Sequence, residues 1–356
     1  MLFDRYILFN FLTVFTAVSF VSVVLVSTYA LLDFLLGFKE RNFKIALEYF
    51  FNLLPLGFYY LSFVVLSIAI ILFLKRIFER KIELTLQSFM ISPLRFSAPL
   101  LTFSLLLSLI FILGNQFLFP KLIGNLWYIE KTFKKKQRIG GVIKNFWFLK
   151  EGKNFKSYYY IENLNLSDGI LFNLYSIKVD KFSLKPVEIL KVFTGKWKGN
   201  NLFAINGESY NFLEEKRKFF YNKRIELALT LRDVQLFAEK VDFLSLKDLL
   251  ELSAKSKKFG LNAEIYLGEL IFRILFSLLP FFISLFTLYL YFRFRELKKV
   301  VLPFIFVVIS LWSIVLLPKI LTQKANQPAN LSLIPIILLV FLTLKGIHNL
   351  SKGFRV

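Results

Sequence analysis

Residues 75–95 read KRIFERKIELTLQSFMISPLR. They form a polar break between two long apolar runs, 53–74 and 96–119. Within the break, Ile82, Leu86, Phe89 and Met90 stand at i, i+4, i+7 and i+8, which gathers them on one face of a helix. Glu79, Glu83 and Gln87 recur every fourth residue on another face, beside Arg80. Two readings stay open: a short amphipathic helix that an aqueous partner can hold, or a solvated connecting loop. The flanking runs decide the fold class. Each exceeds roughly 18 apolar residues, enough to cross a hydrocarbon core about 30 Å thick.

Outward from that break the same pattern repeats. A first span covers residues 7–32 and carries Ser19, Ser22, Ser27 and Thr28, small hydroxylated residues that let helices approach closely. It is too long for a cleavable signal peptide and lacks a small-residue cleavage site, so it is expected to stay as a span. Asp33 ends it, and Lys39, Arg41 and Lys44 follow. Span 2 is 53–74, with Pro55 expected in its first turn. Span 3 is 96–119, closed by Asn115, Gln116 and Pro120. Three more spans follow much later, at 267–292, 300–317 and 331–344.

Residues 121–266 are a different kind of chain. They hold 27 Lys and Arg against 16 Asp and Glu, an excess of 11 that is half of the total net charge of +22. Short alternating runs such as Lys223-Arg224-Ile225-Glu226-Leu227 replace the long apolar ones. Glu151-Gly152, Ser167-Asp168-Gly169, Lys198-Gly199-Asn200 and Asn206-Gly207 read as turns between strands. Many short strands predict an antiparallel β sandwich or roll. One helix is expected at about 246–258, where Ser245 and Asp248 make a capping-box pattern and Gly260 supplies a stop. The chain thus divides into 1–120 with spans 1–3, a β insert at 121–266, and 267–356 with spans 4–6.

Lys and Arg in the short loops set the orientation. Lys75, Arg76, Arg80, Lys81 and Arg95 share a side with Arg293, Arg295, Lys298 and Lys299, and they outnumber Lys39, Arg41, Lys44, Lys319 and Lys324 opposite. Both termini and the 75–95 break are therefore expected in the cytoplasm, and the insert outside the membrane.

Composition excludes much chemistry. With no cysteine there is no disulfide and no Cys-ligated zinc or iron–sulfur site. His348 is the only histidine, which rules out a histidine metal cluster or a Ser-His-Asp triad. Gly195-Lys196 lacks the upstream glycine of a P-loop, so the chain is not expected to bind ATP, and no cofactor is expected in it. The basic residues flank apolar spans, which favours acidic lipid over nucleic acid. Glu269 and Arg273, four apart at the head of span 4, read as a helix-stabilising pair worth a few tenths of a kcal/mol. Lys39, Arg41 and Lys44 read either as ordinary snorkelling or as contacts to the phosphates of an amphiphile.

The whole plan resembles the LptF/LptG permease family of lipopolysaccharide export. The likeness lies in Arg5-Tyr6 before span 1, Glu83-Leu84-Thr85 leading to Ser92-Pro93, Asn115-Gln116 with Pro120, Ser245-Leu246-Lys247-Asp248, Gly260-Leu261, and Glu269 with Arg273. Their order within a three-span, insert, three-span plan carries it. The resemblance implies a membrane α-helical bundle of six transmembrane helices with an inserted all-β, periplasmic, jellyroll-like domain. It implies a multi-pass protein of the bacterial inner membrane that pairs with a second permease of the family. An LptB-like cytoplasmic ATPase dimer would use the ATP, gripping a coupling helix at about 76–92 through Glu79, Arg80, Glu83 and Gln87. Lipopolysaccharide would leave the outer leaflet past Lys39, Arg41, Lys44 and Asp33, for a bridge of LptC/LptA-like jellyroll proteins. Asp33 with its basic loop, and the stretch Trp147 to Phe155, lean toward LptG; Glu269 and Arg273 lean the other way. Residues 89–91 run one residue shorter than the family's pattern. A membrane-anchored periplasmic sensor or scaffold, with no transport, is the alternative.

Overall fold

The computed structural model describes residues 2–37, 42–82, 88–89, 91–134, 141–227, 229–324, 327–328, 331 and 333–351. In chain order its helices and strands are α1 (Leu2–Gly37), α2 (Phe43–Glu79), α3 (Pro93–Phe117), α4 (Phe119–Ile129), β1 (Val142–Glu151), β2 (Phe155–Asn165), β3 (Ile170–Asp180), β4 (Pro186–Lys198), β5 (Asn201–Asn211), β6 (Lys216–Glu226), α5 (Leu231–Ala238), α6 (Leu246–Lys258), α7 (Glu264–Phe294), α8 (Leu297–Gln323) and α9 (Leu333–Ser351). They fall into two compact units, Met1–Gln137 with Gly268–Val356, and Arg138–Leu267.

The first unit is a membrane helical bundle. Among the described residues five helices are long and apolar enough to cross a bilayer: α1, α2, α3, α7 and α8. The 19 residues of α9 extend about 28 Å at a rise of about 1.5 Å per residue, close to a hydrocarbon core. Asn42 caps α2 by accepting from the Lys44 N–H at 2.9 Å, so the helix starts at Phe43, ten residues before the span expected from hydropathy. Pro55 consequently lies inside the helix and not in its first turn. Ser92 caps α3 by accepting from the Arg95 N–H, with Pro93 in the first helical position. The helix breaks at Leu118 and restarts as α4, so residues 121–129, expected to open the insert, are helical and belong to this unit. Inside α7 the hydroxyls of Ser277, Ser284 and Thr287 donate to the carbonyls of Arg273, Pro280 and Ile283. A polar side chain in hydrocarbon needs such an internal partner.

Two large apolar clusters lie within the bundle, and a smaller third gathers Ala30, Phe34, Tyr49 and Ile129. Ile7, Ile77, Phe96, Tyr291 and Val300 meet at one end, which places the starts of α1, α3 and α8 beside the ends of α2 and α7. Leu56, Phe111, Leu279 and Leu311 belong to the other. In its most apolar window α2 is 61% buried, whereas α1 and α8 are each 17% buried. The bundle is thus built around α2, with α1 and α8 presenting apolar faces outward.

The second unit is a six-stranded antiparallel sheet in the order β1-β2-β3-β4-β5-β6. The expected sandwich or roll is realised as a meander, in which each strand pairs with its neighbours in sequence. Alternation along β2 shows why it forms: Tyr159 and Ile161 are buried, and Tyr158 and Tyr160 are exposed. Gly169, at φ +66°, makes the β2–β3 turn. Asn206-Gly207, expected as a turn, lies inside β5. Gly207 is required there by close approach, since a Cβ would stand 2.5 Å from both the Lys191 carbonyl oxygen and the Phe220 ring. The core gathers Phe148, Ile161, Leu174, Val192 and Trp197 from the strands with Val234 of α5.

Both helices that follow the sheet carry capping boxes, Thr230 with Asp233 and Ser245 with Asp248. Lys255 of α6 reaches Asp233 of α5 at 2.7 Å. Burial pushes the Asp233 carboxyl up, but hydrogen bonds from Lys255 and Thr230 outweigh it and hold the group below its ordinary value of 3.8. A depressed carboxyl stabilises the fold above its unfolded pKa, and the gain is lost as pH falls through the folded one. Near-ultraviolet melts of the protein in nanodiscs should therefore show the β unit weakening below about pH 4. Asp233→Asn should lose about 1 kcal/mol at neutral pH and flatten that acid limb. An unchanged acid limb in the variant would dismiss the pair as its source.

Candidate functional site

The 75–95 break begins as a helix. Glu79 is the last residue of α2, so the front of the expected 76–92 coupling segment continues a membrane helix. Glu79 pairs with Lys75 at 3.7 Å along that helix; Glu79 is exposed and Lys75 half-buried. Arg80 is the C-cap, and Lys81, at φ +55°, ends the turn by donating its N–H to the Phe78 carbonyl. Ile82 packs against the first apolar cluster. Glu83 and Gln87 lie outside the described residues. Past them Phe89 is 72% exposed and Ile91 returns to the cluster. Arg95 then donates two hydrogen bonds to Asp4, at 2.7 and 2.9 Å, a bidentate fork joining the starts of α1 and α3. The described parts of the break thus sit at one end of the bundle, held by the starts of two helices and the end of a third.

The residues expected to meet a lipid are divided. Lys39 and Arg41 lie outside the described residues. Lys44 is exposed in the first turn of α2. Asp33 accepts a 2.6 Å hydrogen bond from the Tyr49 hydroxyl, so it ties α1 to α2. Both belong to the end where Ala30, Phe34, Tyr49 and Ile129 cluster, opposite the 75–95 break along α2.

Glu269 and Arg273 form much more than a local pair. Glu269 is 2% and Arg273 4% exposed. Arg273 Nε donates to Glu269 Oε1 at 2.8 Å. The other carboxylate oxygen meets Lys319 Nζ at 3.0 Å and Gln323 Nε2 at 3.2 Å, both from α8. Two i, i+4 pairs on separate helices thus share one carboxylate. The α8 half was invisible to local spacing, although Lys319 and Gln323 at one helical interval after Pro318 are its trace in the sequence. A second polar seam was also missed. Asn115 Nδ2 lies 2.9 Å from the Tyr59 hydroxyl and 3.0 Å from Ser277 Oγ, and it joins α2, α3 and α7. Among the described residues no group of three or more His, Cys, Asp or Glu could hold a metal ion.

The arrangement is a set of membrane helices tied to one another by polar contacts. Its ionisable groups are paired across helices, one end presents a charged ledge, and two helices offer apolar faces outward. A family model described as "Lipopolysaccharide export system permease LptF/LptG" matches residues 5–348. A relative from Aquifex aeolicus (strain VF5), described as an uncharacterized protein, is 57% identical over 356 residues, the whole of both chains.

Proposed function

The chain belongs to the LptF/LptG family of lipopolysaccharide export permeases, and from that premise we propose that it is the transmembrane subunit of an ATP-driven exporter. The observation that carries this reading is the reach of the match, which takes in both sets of helices and the β insert. An LptB-like ATPase dimer in the cytoplasm supplies the energy, and this chain binds no cofactor of its own. The dimer docks at the end of the bundle where Glu79 and Arg80 are exposed, and it holds Glu83 and Gln87 beyond them. The 17% burial of α1 and α8 supports a lateral face that lipid or a second LptF/LptG-type permease can cover. Lys39, Arg41 and Lys44, with Asp33 beside them, meet the lipid's phosphates as it leaves the outer leaflet of the inner membrane. The β insert stands in the periplasm and passes the lipid to LptC/LptA-like proteins. Within the family the basic loop after Asp33 favours the LptG type.

Glu83→Ala tests the coupling directly. The ATPase should co-purify about tenfold less well, a loss of about 1.4 kcal/mol in docking, and lipid release from reconstituted vesicles should fall with it. The melting transition of the permease should not move. Full docking and full release in the variant would sink the coupling role, and a kinase or protease co-purifying in place of an ATPase would favour the scaffold reading.

A further inference from the structure

The 75–95 break ends in a side chain that reaches across to another helix. Ser92 accepts from the Arg95 N–H and so seats Arg95 in the first turn of α3. The Arg95 guanidinium then holds Asp4 of α1 through both carboxylate oxygens, at 2.7 and 2.9 Å. Nearby contacts along this seam are between rings: Phe3 meets Phe96, and Phe103 meets Phe11 and Phe15. Apolar contact is non-directional and lets helices slide, whereas a bidentate fork fixes their register and angle. The Arg95 side chain is 54% exposed and that of Asp4 32%. A pair this open to solvent adds little to stability, so its geometry matters more than its contribution to the fold.

The two helices joined by the fork differ in stiffness. α1 runs 36 residues with no proline and with glycine only at its last position, so it lacks the commonest sites of a kink. At a rise of about 1.5 Å per residue it is a rod about 54 Å long. Its far end carries Asp33, bonded to Tyr49. α3 is built differently. Pro99 lies inside it, four residues after Arg95, and proline has no N–H to offer the carbonyl one turn back. The helical ladder therefore lacks its rung to Arg95, and the first turn can tilt without carrying the remainder of the helix.

We propose that Asp4 and Arg95 are the positioning pair that carries a displacement of the 75–95 break into α1, with the first turn of α3 as the lever and Pro99 as its joint. Pushed from the break, that turn swings, and the fork makes α1 follow as one body to the end where Asp33 lies. The proposal deepens the coupling reading, on which it rests for the source of the push, a cytoplasmic ATPase.

The chain has no cysteine, so paired spin labels need only two additions. Labels at Tyr6→Cys and Thr102→Cys, both at exposed positions, should report one narrow distance in the full chain in nanodiscs. Asp4→Asn should broaden it, and the exchanged pair Asp4→Arg with Arg95→Asp should narrow it again. No broadening would show that the rings alone fix α1, and would overturn the tie whatever drives the protein. In vesicles with the ATPase, Asp4→Asn and Arg95→Lys should each lower the lipid released per ATP hydrolysed about fivefold, and the exchanged pair should recover it. Arg95→Lys keeps the charge and loses the fork. Co-purification of the ATPase and the melting transition should stay in place. Pro99→Ala should raise the melting transition and still lower release per ATP, a combination that a purely structural role does not produce. Unchanged release per ATP in Asp4→Asn, or no recovery in the exchanged pair, would overturn the proposal. Loss of ATPase docking in Asp4→Asn would also overturn it, because the pair would then belong to the docking surface. If Glu83→Ala leaves docking and release intact, the export reading falls, and the label distances still judge the fork.

Discussion

Glu269→Leu is expected to cost the helical unit about 3–5 kcal/mol, the range for removing one partner of a buried ion pair. The reason is the arithmetic of charge. Glu269 serves Arg273 on its own helix and Lys319 on α8, so its loss strips one carboxylate from two cations. Arg273 is 4% exposed and cannot turn to water. Lys319 is less deeply held, with 29% of its side chain exposed. Lys319→Met should accordingly cost less than half as much, because Arg273 still balances Glu269. Changing Glu269, Arg273 and Lys319 together to apolar residues should recover most of the loss, since the desolvation cost vanishes along with the attraction. Unfolding in mixed micelles titrated with sodium dodecyl sulfate gives the free energies. A cost below about 1 kcal/mol for Glu269→Leu would place the cluster with ordinary exposed pairs.

Gly268→Ala is expected to cost about 2–3 kcal/mol by overpacking. A Cβ at this position would lie 1.8 Å from Thr322 Oγ1 and 2.7 Å from Thr322 Cβ and Cγ2. Thr322 is fully buried, and its hydroxyl donates to the Pro318 carbonyl at 2.8 Å, so rotation away would forfeit that bond. The two helices must part instead. Gly268 precedes Glu269, and Thr322 lies between Lys319 and Gln323, so parting lengthens the contacts of the ion cluster as well. The two substitutions should therefore combine to less than the sum of their separate costs. Adding Thr322→Gly to Gly268→Ala should restore part of the stability. The same titration measures both, and a stable single variant would mean that the close approach between α7 and α8 is not required.

Much of this architecture is legible in residue order. The apolar runs locate the membrane helices because hydrocarbon demands length and continuity, and no later contact alters that demand. The capping box at Ser245 and Asp248 locates α6 because it is complete within four residues. Boundaries are less legible. Pro55 looks like a helix start, yet Asn42 caps α2 earlier and the helix runs through the proline. Asn206-Gly207 has the composition of a turn, and only the approach of Phe220 and the Lys191 carbonyl shows that the glycine makes room inside a strand. The site divides the same way. Glu269 with Arg273 is visible at one helical interval, but their partners Lys319 and Gln323 lie some 50 residues on, where no periodicity connects them. Asn115, Tyr59 and Ser277 come from three helices and share no local pattern at all.

The meander of the insert bears on the order in which the chain can assemble. Every strand of the sheet pairs with its neighbour in sequence, and the last, β6, ends at Glu226. Closing such short loops costs little chain entropy, and local pairing is fast. The ladder can be complete while α7, α8 and α9 are still unmade. The seam at Asn115 has no such freedom. It waits for Ser277, 162 residues further along the chain. During synthesis the insert is thus free to settle early, and the bundle around α2 stays open on one side until the last quarter of the protein arrives.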